Sequence, residues 1–382
     1  MGGEQSLLYY YKKKVDPSRL TFARELRGLT KKALADKLGK KASAITQFEA
    51  GTLGMSFETF STLVKELEIH PGLLSAENTQ LPSADMANCH FRANKRVPQM
   101  LRQSARCYAL QVLSIYNYLE ELGVKFPPIT FNQYSGPSLS EQQMEEYAVA
   151  VRHGLGLKLG PIQNMAEFLE NIGIRIVILD GERRGLDAFA AWISGQPCIM
   201  LDKEFASRMP FDYAHEFAHL LLDEDTIPGD LMAERRANRF ASAFLMPAAS
   251  FVQNCPSRYG RAAFIETKLF WRVSIAAALY RAKLLGVMSE RSYTNAMINR
   301  AKANENIHEP AEFSRPMPTL LAQAMKLVSK ITNLKKMSEH LGILQDELEH
   351  ILLCQNVSQE VLDEMKPEKR TSVVLQFRPL SK

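Results

Sequence analysis

Residues 17–75 carry apolar positions at helical spacing in four short runs separated by glycines. Pro17 can open the first run, which places Leu20, Ala23 and Leu26 on one face and ends near Gly28. Thr30 is positioned to cap a second run, with Ala33, Leu34 and Leu38 inside and Gly39 as its stop. A third run spans Ser43 to Ala50, with Ile45 and then Phe48 or Glu49 facing inward or capping, and Gly51 ends it. The fourth and longest runs from Phe57 to Leu67, with Phe60, Leu63, Val64 and Leu67 at helical spacing.

The pattern then breaks. Residues 76–98 are polar and interrupted by prolines, as a linker would be. Helical spacing returns over residues 99–125 through Leu101, Leu110, Leu113, Tyr116 and Leu119, which predicts a packed connecting helix ended by the two prolines of KFPPITFN. Ile174–Leu179 and Cys198–Leu201 are short, apolar and β-branched, and read as strands. Further helical runs follow to Ile298. Pro310, Pro316 and Pro318 lie in a polar stretch that predicts a boundary near 305, with helices over 319–331, 334–341 and 344–353 beyond it. Four segments result: 1–78, 79–135, 136–304 and 305–382.

Charge changes the picture at one end only. The formal net charge is +5 over 382 residues. Residues 1–50 hold 11 Lys/Arg against 5 Asp/Glu, so the excess positive charge sits in the first segment. That distribution is the electrostatic footprint of a nucleic-acid-binding unit, although Lys12, Lys13 and Lys14 supply half of it and read equally as a solvated basic tail. The 5 cysteines are scattered without metal or redox spacing, consistent with reduced thiols in a cytoplasmic protein. No apolar run reaches the length of a membrane helix, and no membrane partner is expected.

The second and third runs of the basic segment are separated by only a few residues, the spacing of a helix-turn-helix. The stretch RELRGLTKKALADKLGKKASAITQFEAG resembles the phage-repressor (XRE-type) family through Arg24 or Arg27, Gly28-Leu29-Thr30, Leu34-Ala35, Leu38-Gly39, Ile45 and Glu49-Ala50-Gly51. Lys31 stands where that family commonly has Gln. In such a unit the third helix would enter the major groove and offer Ser43, Ala44, Thr46 and Gln47 to base edges. Lys31, Lys32, Lys40 and Lys41 would neutralise phosphates of double-stranded DNA. One module of this kind binds weakly, so a homodimer is expected.

The sharpest chemical signal is His215-Glu216-Phe217-Ala218-His219. Histidines four apart lie on one helix face, so both rings can reach one ion, and the intervening glutamate can take a proton from the attacking water. With 8 His among 382 residues, the chance expectation is about 0.01 such matches per chain. The surrounding Phe211, Tyr213, Ala214, Ala218, Leu220, Leu221 and Leu222 make the helix fit for burial, where unpartnered imidazoles and a carboxylate would be costly. One Zn2+ per chain removes that cost. A third ligand is expected from AERRANRFASAFLMP: Glu234, with Asn238 one turn on to orient a histidine. The alternative for Glu234 is a surface carboxylate paired with Arg235 or Arg239. Asp223, Glu224, Asp225 and Asp230 are rival ligands, and Asp223 is also a candidate to support one from behind.

These segments, with GPIQNMAEFLENIGIRIVIL and LDAFAAWISGQPCIMLD, resemble the ImmA/IrrE family of zinc metallopeptidases over roughly residues 140–250. The resemblance implies a zincin-like (gluzincin-type) helical bundle beside a small β-sheet, hence a mainly α chain of the α+β class. It also implies cleavage of a regulatory protein partner, such as a repressor. Here Phe217-Ala218 and Asp223 replace residues that the family commonly carries. Catalysis would rest on Glu216, with Tyr213, Arg235 and Arg208 as candidates to steady the oxyanion. The competing reading is a DNA-binding repressor whose peptidase-like domain is a non-proteolytic sensor or scaffold. LKKMSEHLGILQDELEHILL has the outline of a second small helix-turn-helix, but its Glu339, Asp346, Glu347 and Glu349 would repel phosphate, so a protein-interaction unit is expected there.

Overall fold

The computed structural model describes residues 3–13, 15–75, 98–183, 186, 188–202, 206–222, 231–305 and 308–366. Helix α1 (Gly3–Lys12) precedes the four helices anticipated from the glycine-punctuated pattern: α2 (Pro17–Leu26), α3 (Lys31–Lys37), α4 (Ala42–Glu49) and α5 (Phe57–Glu66). Their starts follow local chemistry. Asp16, Thr30 and Ser56 each accept a backbone N–H in the first turn of the helix they cap. Gly28, Gly39 and Gly51 take left-handed backbone conformations at the turns, where a side chain would be strained. Residues 3–12 form a packed helix, not the solvated tail that the lysines from Lys12 onward suggested. The Tyr11 ring packs on Phe57 and Phe60, and its hydroxyl donates to the Met55 carbonyl at 3.0 Å.

Helix α6 (Gln99–Glu121) is buried along most of its length and packs on α2. The middle of the chain forms α7 (Glu141–Gly154), α8 (Met165–Asn171), β1 (Arg175–Ile178), β2 (Phe189–Ile193), β3 (Gln196–Leu201), α9 (Met209–Leu222), α10 (Leu231–Leu245), α11 (Ala248–Asn254), α12 (Arg261–Trp271), α13 (Ile275–Leu284) and α14 (Glu290–Lys302). The C-terminal helices are α15 (Leu320–Val328), α16 (Leu334–Leu341), α17 (Gln345–Cys354) and α18 (Gln359–Glu364). The chain is therefore mainly helical with one small sheet.

The sheet has the order β1-β3-β2, with β3 parallel to β1 and antiparallel to β2. Ser194 and Gly195, both at positive φ, close β2 onto β3 in a two-residue hairpin. Both faces are buried, which explains the near-continuous apolar strands. Val177, Phe189, Ala191, Cys198 and Met200 face a core shared with α2–α6 and α15–α18. Ile176, Ile178, Ala190, Ile199 and Leu201 face a second core built from α7–α14. The sheet is thus the partition between the two halves of the molecule.

The segment after α14 is tied down. Glu309 accepts the Ile275 and Ala276 amides at the start of α13 and pairs with the buried Lys268. Glu170 of α8 accepts the Thr319 and Leu320 amides at the start of α15. The expected linker falls almost wholly on residues 76–97, which lie outside the described residues.

Candidate metal centre and nucleic-acid interface

Helices α9 and α10 make the most extensive helix–helix contact in the second core. Phe217, Ala218, Leu221, Ala237, Phe240, Ala241 and Phe244 are buried at or near the seam. A hydrophobic seam of this kind fixes the rotation of both helices, so the polar positions between the apolar ones must face each other. On α9 these are His215 and His219, and on α10 they are Glu234 and Asn238.

The geometry at that point is compact. Nε2 of His215 lies 3.1 Å from Nε2 of His219. The Glu234 carboxylate sits 3.2 Å from His215 Nε2 and 3.7 Å from His219 Nε2. Tetrahedral coordination with bonds of about 2.05 Å puts ligand atoms about 3.3 Å apart, so these separations suit one ion at their centre. Among the described residues, no fourth His, Cys, Asp or Glu joins this group. Glu234 is 40% exposed at its side chain while His219 is nearly enclosed, so the centre opens to solvent on the α10 side.

Nδ1 of His215 lies 3.1 Å from the Asn238 carbonyl oxygen. That oxygen can only accept, so Nδ1 is the donor there and Nε2 is the nitrogen left facing the centre, free to ligate an ion once it gives up its proton. Burial pulls the His215 pKa down, but hydrogen bonds that the ring donates to Glu234 and Asn238, with the charges of Glu216 and Glu234, outweigh it, and the net shift is upward. The same acidic field that favours an imidazolium favours a cation between the rings. Glu216 is buried directly beside His215 in the sequence.

The oxyanion candidates separate. Tyr213 is fully buried and its hydroxyl donates to the Pro316 carbonyl at 3.1 Å, so it is removed from that role: on α9 it points into the core, away from the His215 face. Arg208 is exposed at the start of α9, about 10 Å of helix rise before His215. Arg235 is exposed and follows Glu234 directly on α10. Glu234 is aligned with the histidines, whereas Arg239 forms an ion pair with Glu145 of α7 at 2.9 Å. Asp223, Glu224, Asp225 and Asp230 lie outside the described residues.

One support was not foreseen. Glu145 also receives both terminal nitrogens of the buried Arg281, at 2.6 and 2.8 Å. Arg281 in turn donates to the Met246 carbonyl just past α10. These charges lock α10 against α7 and α13 and hold Glu234 in register. Nothing in local sequence spacing links residues 145, 239 and 281.

In the N-terminal unit, Ile45 and Phe48 bury one side of α4 and leave Ser43, Thr46 and Gln47 exposed on the other. Ala44 is half-buried against the core. Thr46 returns its hydroxyl to the Ala42 carbonyl. Lys32, Lys40 and Lys41 are exposed. Lys31 is 3.3 Å from Glu49, so part of its charge is already matched. Glu49 is held chiefly by the buried Arg24 at 2.6 Å, which also donates to the Leu29 carbonyl and so joins α2, the turn before α3, and α4. Of the two arginines that matched the motif, Arg24 has this internal task. Arg27 points elsewhere.

Comparison with known families agrees with this division. Residues 22–74 match the helix-turn-helix family model. Residues 169–283 match the model of the IrrE N-terminal-like domain, a peptidase family. No curated protein matches the chain. The chain therefore joins a helix-turn-helix DNA-binding domain to a metallopeptidase-like domain. Among the described residues, no helix is long and apolar enough to cross a membrane.

Proposed function

We propose that this chain is a DNA-binding regulator with zinc-dependent endopeptidase activity on a regulatory protein, such as a repressor. The observation that carries this reading is the convergence of His215, His219 and Glu234 on one point that stays open towards solvent. Two imidazoles and one carboxylate are the donor set of hydrolytic zinc centres, whereas structural zinc sites close their fourth position with protein. The residues fit the ion by chemistry and by spacing.

His215, His219 and Glu234 would hold one zinc ion, with Asn238 fixing the tautomer of His215. Bound there, zinc supplies Lewis-acid polarisation of a peptide carbonyl. Glu216 takes the proton of the attacking water and hands it to the leaving amine. Its burial keeps bulk water from competing for that proton. Arg235, beside Glu234 on α10, is the cation offered to the developing oxyanion.

The exposed side of α4 would read double-stranded DNA through Ser43, Thr46 and Gln47, with Lys32, Lys40 and Lys41 on phosphates. A homodimer working in the cytoplasm completes the proposal, since a single reading helix gives little affinity. Glu216→Gln tests the chemistry: the variant should retain zinc yet leave a co-expressed substrate uncut and trapped on the enzyme. Unchanged cleavage by that variant would overturn the mechanism.

A further inference from the structure

The family match for a helix-turn-helix ends at residue 74, yet the same local construction recurs near the C-terminus. Thr30 caps α3 by accepting the Ala33 amide, and Asn333 caps α16 by accepting the Lys336 amide. Gly39 ends the first helix with φ of 62°, and Gly342 ends the second with φ of 66°. After the glycine turn, Lys40 N–H donates to the Ala35 carbonyl at one end of the chain, and Ile343 N–H to the Ser338 carbonyl at the other. Ile45 and Phe48 seat α4 on its core, and Leu348 and Ile351 seat α17 at a constant offset along the chain. Ser56 and Ser358 cap the helices that follow.

The backbone is repeated, but the surface is inverted. Where α4 offers Ser43, Ala44, Thr46 and Gln47, α17 carries Asp346, Glu347, Glu349 and His350. Three carboxylates on a reading helix repel a phosphate backbone instead of neutralising it. Two of them already have partners: Glu349 pairs with Lys366 at 3.4 Å and accepts from Gln345, both within the C-terminal unit, while Glu347 reaches across to the N-terminal one. Glu347 takes Arg27 in a two-pronged pair at 2.8 and 3.1 Å, with both side chains mostly shielded. The remaining Arg27 donors reach the Leu67 and Glu68 carbonyls, so a single guanidinium joins α2, the end of α5 and α17. The Leu26 carbonyl beside it is held by Ser104 of α6 and by Arg183 from the turn after β1.

We propose that α15–α18 form a second helix-turn-helix unit whose reading helix grips protein, not DNA, and that its partner is the Arg27 end of the N-terminal unit in the same chain. The other end of α17 is anchored as well. Gln355 donates to the Ile178 carbonyl and accepts the Ile178 amide, filling the hydrogen-bond positions at that edge of β1. The second unit therefore spans from the sheet of the metallopeptidase-like domain to the DNA-binding domain, and fixes one against the other.

The test uses the full chain with Glu347→Arg, Arg27→Glu and the doubly reversed pair, read by amide hydrogen exchange over residues 62–74. Each single reversal should speed exchange there about three- to tenfold, the scale of a shielded two-pronged ion pair. The double reversal should exchange more slowly than either single variant, short of the native rate because a carboxylate at position 27 cannot donate to the Leu67 and Glu68 carbonyls. A double variant as fast as the singles would overturn the proposal. If a reversal does not fold, Glu347→Gln is read in the same way, and no acceleration there would overturn it too. A second arm measures binding to a mixed-sequence DNA duplex. Asp346→Ala with His350→Ala should leave affinity unchanged, and a loss comparable to that of Gln47→Ala would show that α17 reads DNA and refute the assignment.

Discussion

The candidate metal centre and the helix proposed to face DNA are built in opposite ways. At the centre, three side chains from two helices meet within a few ångströms, held by an apolar seam and by Asn238 behind one ligand. On α4, the proposed contact residues Ser43, Thr46 and Gln47 stand exposed on a helix fixed from its buried side by Ile45 and Phe48. The first arrangement is cooperative, so removing one member removes the function. The second is nearly additive, so each residue contributes a modest share. Specific chemistry needs the first kind of site, and recognition of a long polyanion is satisfied by the second.

The largest effect should come from His219→Ala, which leaves two ligands and an enclosed gap. Zinc content after gel filtration should fall from about one per chain to near zero, and full retention would break the contrast. Asn238→Ala should keep zinc but weaken it about 10- to 100-fold in a chelator competition, the usual scale for losing a partner behind a ligand. An unchanged affinity would mean that the His215 tautomer needs no support. Gln47→Ala should weaken DNA binding by about 1–3 kcal/mol if it reads a base edge, measured by anisotropy at fixed salt. A complete loss would show that α4 is more cooperative than its geometry suggests.

The smallest effect belongs to neither surface. Burial pushes the Glu170 carboxyl up to about 7, against the pull of the Thr319 and Leu320 amides. Its native pKa lies above the ordinary carboxylate value, so the folded state holds the extra proton. Stability from that group is full below the unfolded value of 4.5 and fades as pH rises through about 7. Glu170→Gln should flatten that part of the urea-stability profile. An unaltered slope would show that Glu170 does not carry it.

The same contrast explains what could be read from the amino-acid order. His215, His219 and the helices that carry them follow from a four-residue spacing inside an apolar run, and the N-terminal helices from their caps and glycines. These signals are local. Strand β2 was missed although Ser194-Gly195 marks its hairpin, because Ala190 and Ala191 dilute the β-branched pattern on which the other strands were recognised. The burial of Tyr213 depends on Pro316, and the register of α10 depends on Glu145 and Arg281. Arg27 and Glu347 meet across nearly the whole chain. Such pairings have no periodicity to betray them. The helix of residues 3–12 was obscured for another reason: Lys12 faces solvent while Tyr11 does the packing.

X-ray absorption at the zinc edge, on the purified full chain, addresses the metal centre most directly. Two imidazole nitrogens with only oxygen donors completing the shell at about 2.0–2.1 Å are expected, together with about one zinc per chain. A thiolate, a third imidazole or a chain that retains no zinc would contradict an open hydrolytic centre formed by His215, His219 and Glu234.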